Sequence, residues 1–424
     1  MYNKKIYDKI KSALKKEGIL MKKILCAILA SLMIISFCAC ADSQSSAQQE
    51  TTVAVETTAP QTDEKLGLAD TDVLEWVDYK EYNLNEDVPV KNIILMIGDG
   101  MGKNTIKAAE IVKGDKLVMS GIKNQTTVTT YSQSVTDGHA EFTDSAASAK
   151  AISTGVKTDN GYIGLDPDGN EIETICEYVQ KLGMKTGLVD RHYVSHATPA
   201  GMVAHNNSRS NYQQILRGMI KADVNVMFGG GSQFYKNSPK VQNTVKECGY
   251  TYIDNEQALL DLRAGDDKVL GMFAYDNMGS ATIWPSLTTM TSKALELLDN
   301  EKGFFLMVEG SNIDVYAHNG DMKNTIEQMQ AFDHTIDYVL QWAEKDPGTL
   351  VIVTADHETG GVQIPENATV EDINDTCFTS NGEHTNADVA LMAGGAQSKG
   401  LCEKDLIDNT DIAKYMRKVL EESH

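Results

Sequence analysis

The feature that most constrains this chain is a series of short apolar runs, each ending in an acid, a histidine or a glycine cluster. Ile93–Ile97 leads into Gly98-Asp99-Gly100, and Thr186–Val189 leads into Asp190. Val224–Phe228 ends at Gly229-Gly230-Gly231, Phe304–Val308 at Glu309-Gly310, and Leu350–Thr354 just before Asp356-His357. The runs have strand length and are apolar at consecutive positions, so both faces of each strand must be buried. Helical stretches separate them. Asn104–Val112 is one; in another, Ile326, Met329, Phe332, Ile336, Val339 and Leu340 recur at helical spacing. Ala387–Met392 is a further apolar run, and Asp411–Glu422 closes the chain as a helix. This alternation predicts an α/β fold in three layers, a mainly parallel central sheet sandwiched by helices on both faces. Open α/β sheets build their sites beyond the C-terminal strand ends, which is where these polar residues stand.

The N-terminal part follows a different logic. Met21–Cys40 opens M-K-K and continues as an apolar run too short for a comfortable membrane span. It reads as a signal peptide whose F-C-A-C ending resembles a bacterial lipobox, with Cys40 as the lipidated residue; an ordinary signal peptide cut nearby is the alternative. Residues 1–20 read as a non-translated or dispensable extension, because Lys16-Glu17-Gly18 can be encoded by a purine-rich ribosome-binding sequence upstream of Met21. Residues 41–65, rich in Ser, Thr and Gln, read as a flexible tether. The folded domain is then 66–424, its first ordered residue falling between Leu66 and Val88. The expected location is extracytoplasmic, anchored to the outer face of a bacterial membrane or secreted.

The net charge of −22 argues against nucleic acid as a partner. An anionic substrate would need a local positive field made at the site itself. None of the seven cysteines falls in a C-x-x-C pattern, so a thiolate zinc site is not expected. Cys176, Cys248, Cys377 and Cys402 fit buried thiols as well as disulfides.

The stretch Phe142–Thr158 suggests where that field is needed. Asp144 precedes Ser145, four nearby alanines favour a helix, and Gly155 marks its stop. Ser145 thus sits at a helix N-terminus, where free backbone N–H groups and the dipole favour an anion or an alkoxide. A plain N-cap explains D-S-A-A equally well. A serine becomes a good nucleophile only with a base, a metal or a lowered pKa, and the strand ends offer metal ligands. Asp99, Glu309, Asp314, His318, Asp356, His357 and His384 are oxygen and imidazole donors of the kind zinc and magnesium take. Asp314 and His318 are four apart, on one face of a helical turn. Carboxylates ~4 Å apart would repel by ~4 kcal/mol per pair at an effective dielectric of 20, so divalent cations are needed to hold them together.

These residues sit in motifs that resemble the alkaline phosphatase family from about Lys91 to Gly395. The motifs are K-N-I-I-L-M-I-G-D-G-M-G at Lys91–Gly102, T-D-S-A-A-S-A from Thr143 with S-T-G-V-K-T ending at Thr158, and H-A-T-P-A at His196–Ala200. V-E-G-S-N-I-D at Val308–Asp314, T-A-D-H-E-T-G-G at Thr354–Gly361 and E-H-T-N-A-D-V at Glu383–Val389 complete them. The resemblance implies a metal-dependent phosphate-monoester hydrolase with a phosphoserine intermediate, acting on varied small phosphomonoesters. It implies Ser145 as nucleophile and Arg209 as the phosphate clamp. Asp314, His318 and His384 correspond to the ligands of one zinc; Asp99, Asp356 and His357 to those of a second. Asp99, Thr198 and Glu309 correspond to those of a magnesium, which His196 borders. A homodimer is also compatible with the resemblance.

Two departures stand out. Val315 follows Asp314 where the family usually has Lys or His. The segment Val189-Asp190-Arg191-His192-Tyr193 replaces a small, Thr-rich run. His139, His192, His205 and His334 match no family role. A sulfatase reading lacks the C/S-x-P-x-R signature. Diesterases often use a threonine nucleophile and lack the magnesium ligands. A lipoprotein that merely binds phosphate or metal would be expected to lose Ser145 or Arg209.

Overall fold

The computed structural model describes residues 74–423. The expectations for residues 1–20, 21–40 and 41–65, including lipidation of Cys40, fall outside them. The strands are β1 (Asn92–Ile97), β2 (Asn124–Thr129), β3 (Lys185–Tyr193), β4 (Val226–Gly230), β5 (Thr251–Ile253) and β6 (Val269–Met272). They continue with β7 (Phe304–Glu309), β8 (Thr349–Thr354), β9 (Glu358–Thr359), β10 (His384–Thr385), β11 (Val389–Gly395) and β12 (Leu406–Asp408). Ten of them form one sheet in the order β12-β2-β11-β8-β1-β7-β3-β4-β6-β5. Within it β11 alone runs against its neighbours. β9 and β10 pair separately.

Every residue of β1, β7 and β8 is buried, as their unbroken apolar sequences require. Helices cover the sheet in two packs, giving the α/β architecture expected. The Ser145–Thr154 helix packs with Ala197–Gly201 and Thr410–Glu421; the long Met322–Lys345 helix packs with Lys103–Lys113, Leu287–Leu298 and Asn312–His318. Gly201 permits the first of these approaches, because a Cβ there would lie 2.8 Å from that of Ala149.

Some boundaries differ from the sequence reading. β3 continues through Asp190 to Tyr193, so this acid lies inside a strand rather than beyond one. β4 takes in Gly229 and Gly230; a Cβ on Gly230 would come within 2.5 Å of the Asp276 carbonyl oxygen. The last apolar run becomes a strand only from Val389; Ala387 and Asp388 before it are exposed. Between Gln213 and Thr282 the chain adds β4, β6 and β5 to one sheet edge. Cys176, Cys248, Cys377 and Cys402 are free thiols, with Cys176 and Cys377 buried. Among the described residues no helix is long and apolar enough to cross a membrane.

Candidate active site

Strands β7, β1 and β8 lie side by side, with Ile97 in register with both Glu309 and Thr354. Their ends therefore deliver Asp99, Glu309, Asp356 and His357 to one place. Ser145 is the first residue of its helix, and Asp144 is the N-cap, its Oδ1 accepting the Ala147 N–H at 3.0 Å. Ser145 is buried against the strand ends, and its Oγ lies 3.3 Å from His357 Nε2. Ser148, one turn on, donates to the Asp356 carbonyl at 2.6 Å and ties the helix to β8's extension. Asp144 also holds Arg209: its Oδ2 accepts from Nη1 at 2.9 Å and from the Gly161 N–H at 2.9 Å. The other terminal nitrogen of Arg209 lies 3.4 Å from His196 Nε2. Serine, guanidinium and helix N-terminus thus converge, as binding of a tetrahedral oxyanion requires.

Asp314, His318 and His384 form one ligand group, with donor atoms within 4.8 Å of one another. His318 Nε2 is 3.2 Å from Asp314 Oδ2 and 3.1 Å from His384 Nε2. Each ring is fixed from behind by a backbone carbonyl: His318 Nδ1 faces Gly382 O, and His384 Nδ1 faces Thr143 O at 2.8 Å. With a metal bound, protons on both Nδ1 atoms would leave both Nε2 lone pairs free to ligate; without one, His318 Nε2 carries the proton it shares with Asp314. The hydrogen bond with Asp314 raises the His318 pKa to about 9. Burial works to raise Asp314, but the hydrogen bond from His318 and the nearby imidazoles hold it well below the usual carboxylate range.

Asp99, Asp314 and His357 form a second group, and Asp99, His196 and Glu309 a third. Asp356 joins the second at its edge, with Oδ2 3.2 Å from His357 Nε2. Asp99, Glu309, Asp356 and His357 are at most 1 % exposed. Burial and then neighbouring carboxylates push Asp99 and Glu309 well up; burial followed by Asp314 raises Asp356 to about 6. Burial, then His384, drives His357 well down, and burial, then His192, does the same to His196. Asp99 Oδ1, Asp356 Oδ2, both Glu309 oxygens, Thr198 Oγ1 and His196 Nδ1 are buried without a hydrogen-bond partner. Unpaired buried carboxylates are strongly destabilising, so this donor set fits divalent cations.

All eleven residues singled out from the sequence lie in this one region. Some supporting residues were missed. Thr359 donates to Asp314 Oδ1, and Glu358 accepts the N–H groups of Gly361 and Val362 at 3.2 and 3.0 Å, shaping the turn after β8. Neither has a local signal beyond the motif that contains it. The tie between Asp144 and Arg209 spans 65 residues, so only the capping half of Asp144's role was visible. His139 stands apart, grouped with Asp137 and Asp159.

Residues 90–374 match the family model described as alkaline phosphatase. The chain is 37% identical to alkaline phosphatase 4 of Bacillus subtilis, over 66% of this chain and 63% of that protein, so it spans less than two thirds of that relative's length. It is 30% identical to the alkaline phosphatase of Escherichia coli over 79% of this chain and 87% of the relative. The solved alkaline phosphatase of the Antarctic bacterium TAB5 superposes with a TM-score of 0.71 at 28% identity, covering 80% of this chain and 100% of that one. A variant of the TAB5 enzyme with one histidine changed to aspartate carries magnesium in its M3 site. With the sheet, the helix-borne serine and the ligand groups all in agreement, this chain belongs to the alkaline phosphatase family.

Proposed function

We propose that this chain hydrolyses small phosphate monoesters through a phosphoserine at Ser145. The observation that carries the reading is Ser145 Oγ at a helix N-terminus, 3.3 Å from a histidine in the ligand groups, on the same Asp144-capped turn that holds Arg209. Arg209 receives two phosphate oxygens in its planar fork, and Asp144 keeps that fork oriented. The N–H groups of the helix's first turn add partial positive charge where the phosphoryl oxygens gather. Ser145 Oγ attacks phosphorus; the new O–P bond forms as the bond to the leaving oxygen breaks. Water then attacks the phosphoserine, releasing inorganic phosphate and restoring the serine hydroxyl. The burial around Asp99, Asp356 and His357 keeps bulk water from competing charges.

Asp314, His318 and His384 would hold one zinc, and Asp99, Asp356 and His357 a second. Asp99, Thr198 and Glu309 would hold magnesium, with His196 beside them leaving that site open to zinc. When bound, these ions would lower the serine pKa, neutralise phosphoryl charge and act as Lewis acids toward the leaving oxygen. The TAB5 variant supports a link between a histidine-to-aspartate change and magnesium at such a third site.

The location proposed is extracytoplasmic, with attachment through a lipidated Cys40; mass spectrometry of the membrane fraction tests it, and an unmodified Cys40 there contradicts it. For the activity, the test compares an aryl phosphate monoester with its diester on the metal-loaded protein. Rapid release of phosphate from the monoester is expected. Preference for the diester would instead support a phosphodiesterase, and turnover of neither would leave only binding.

A further inference from the structure

We infer that Asp190 is the outer carboxylate of the third cation site, supplying there the negative charge that His196 lacks. The inference rests on the third site proposed above. Asp190 lies in β3, in register with Glu309 of β7. In-register residues on neighbouring strands share a face of the sheet, so the two carboxylates stand side by side at its end. Both are buried, Asp190 at 1 % exposure and Glu309 at 0 %. Asp190 Oδ1 accepts the His192 N–H at 2.8 Å, whereas Oδ2 has no hydrogen-bond partner, and neither oxygen of Glu309 has one.

The adjacent Arg191 is otherwise engaged. Its Nη1 donates to the carbonyls of Ile283 and Pro285 at 3.1 and 2.9 Å, and its Nη2 to those of Met278 and Ser280 at 3.3 and 2.5 Å. Arg191 lends its charge to Asp190 only through space, and no donor reaches Asp190 Oδ2 or either oxygen of Glu309, so a cation with its waters would satisfy the pair. Asp190 is outside the tight group of Asp99, His196 and Glu309, so it serves the ion from one layer out. Magnesium keeps several of its waters and favours oxygen acceptors that can order them. An imidazole at position 196 brings no such charge, and its Nε2 already faces Arg209. Asp190 therefore restores from β3 the acidity that residue 196 does not provide, and shifts the site toward magnesium over zinc.

The test uses the full chain with zinc fixed at two equivalents. Magnesium binding is read by calorimetry and by the shift in melting temperature, for wild type, Asp190→Asn, and Asp190→Asn combined with His196→Asp. Asp190→Asn should weaken magnesium binding about tenfold or more and leave zinc content unchanged. Adding His196→Asp should restore most of the magnesium affinity. Wild-type magnesium affinity in Asp190→Asn would overturn the inference, as would failure of the added His196→Asp to restore the lost affinity. No third cation in zinc-loaded wild type would overturn the third-site reading itself, and is recognisable because it appears before any substitution.

Discussion

The site has two poles that solve the same electrostatic problem differently. At one, Asp314 is balanced within the protein by two imidazoles, and His318 is partly open to solvent, with 42% of its side chain exposed. At the other, Asp99, Glu309, Asp356 and Asp190 are buried among one another, and burial raises the pKa of each. The imidazole pole can persist without metal as an Asp–His ion pair. The carboxylate pole cannot balance itself, so it depends on metal or on protons. Side-chain type and burial, rather than the number of donors, separate a cluster that can balance its own charge from one that cannot.

The largest test of that contrast is metal removal. Excess chelator should abolish turnover and lower the melting temperature together, since metal bound only by the folded state adds about 4 kcal/mol at a thousandfold excess over Kd. An unchanged melting curve with metal loss confirmed would break the contrast at the carboxylate pole.

A smaller effect should have opposite signs at the two poles. In metal-free protein at pH 8, Asp356→Asn should stabilise, by about 1–3 kcal/mol, because it removes an uncompensated buried charge. Asp314→Asn should destabilise, because it leaves His318 and His384 without their carboxylate. The same sign from both substitutions in thermal melts would erase the distinction.

The pH dependence follows from the same shifts. Asp356, raised to about 6, contributes stability that is full below its unfolded pKa near 4 and lost as pH rises through about 6. His318, raised to about 9, contributes stability that is full below about 6.5 and lost only as pH rises through about 9. Metal-free wild type should therefore lose stability between pH 4 and 9, and Asp356→Asn should reduce the loss near pH 6, where Asp190 and Asp333, raised to about 7 and about 6, also contribute. A melting-temperature profile of Asp356→Asn with the wild-type loss near pH 6 undiminished would reassign that contribution. The smallest effect is expected for His196→Asp, which should lower half-saturating magnesium in an activity titration after zinc is fixed. An unchanged half-saturation would mean that His196 does not border the third site.

The two poles were also unequally legible. β1, β7 and β8 announce themselves as unbroken apolar runs, and the acids at or beyond their C-terminal ends follow from sheet topology. Asp314 and His318 follow from helical spacing. β2, with the sequence N-Q-T-T-V-T, lacks such a run and gains its place from pairing with β11. Asp190 was visible only as a residue ending an apolar run; its neighbour Glu309 lies more than a hundred positions away, and strand register is a tertiary fact. The hydrogen bonds that join Gly161 and Arg209 to Asp144 are non-local in the same way, and a cap was all the sequence could signal there.

The central claim is that Ser145 carries the phosphoryl group between two half-reactions. The most direct measurement is an acid quench of the metal-loaded enzyme during turnover of an aryl phosphate, followed by peptide mass spectrometry. The account predicts one phosphoryl group on Ser145 in wild type, and neither label nor appreciable turnover in a folded, metal-loaded Ser145→Ala protein. Full activity in that variant, or a phosphoryl group trapped on another residue, would contradict it.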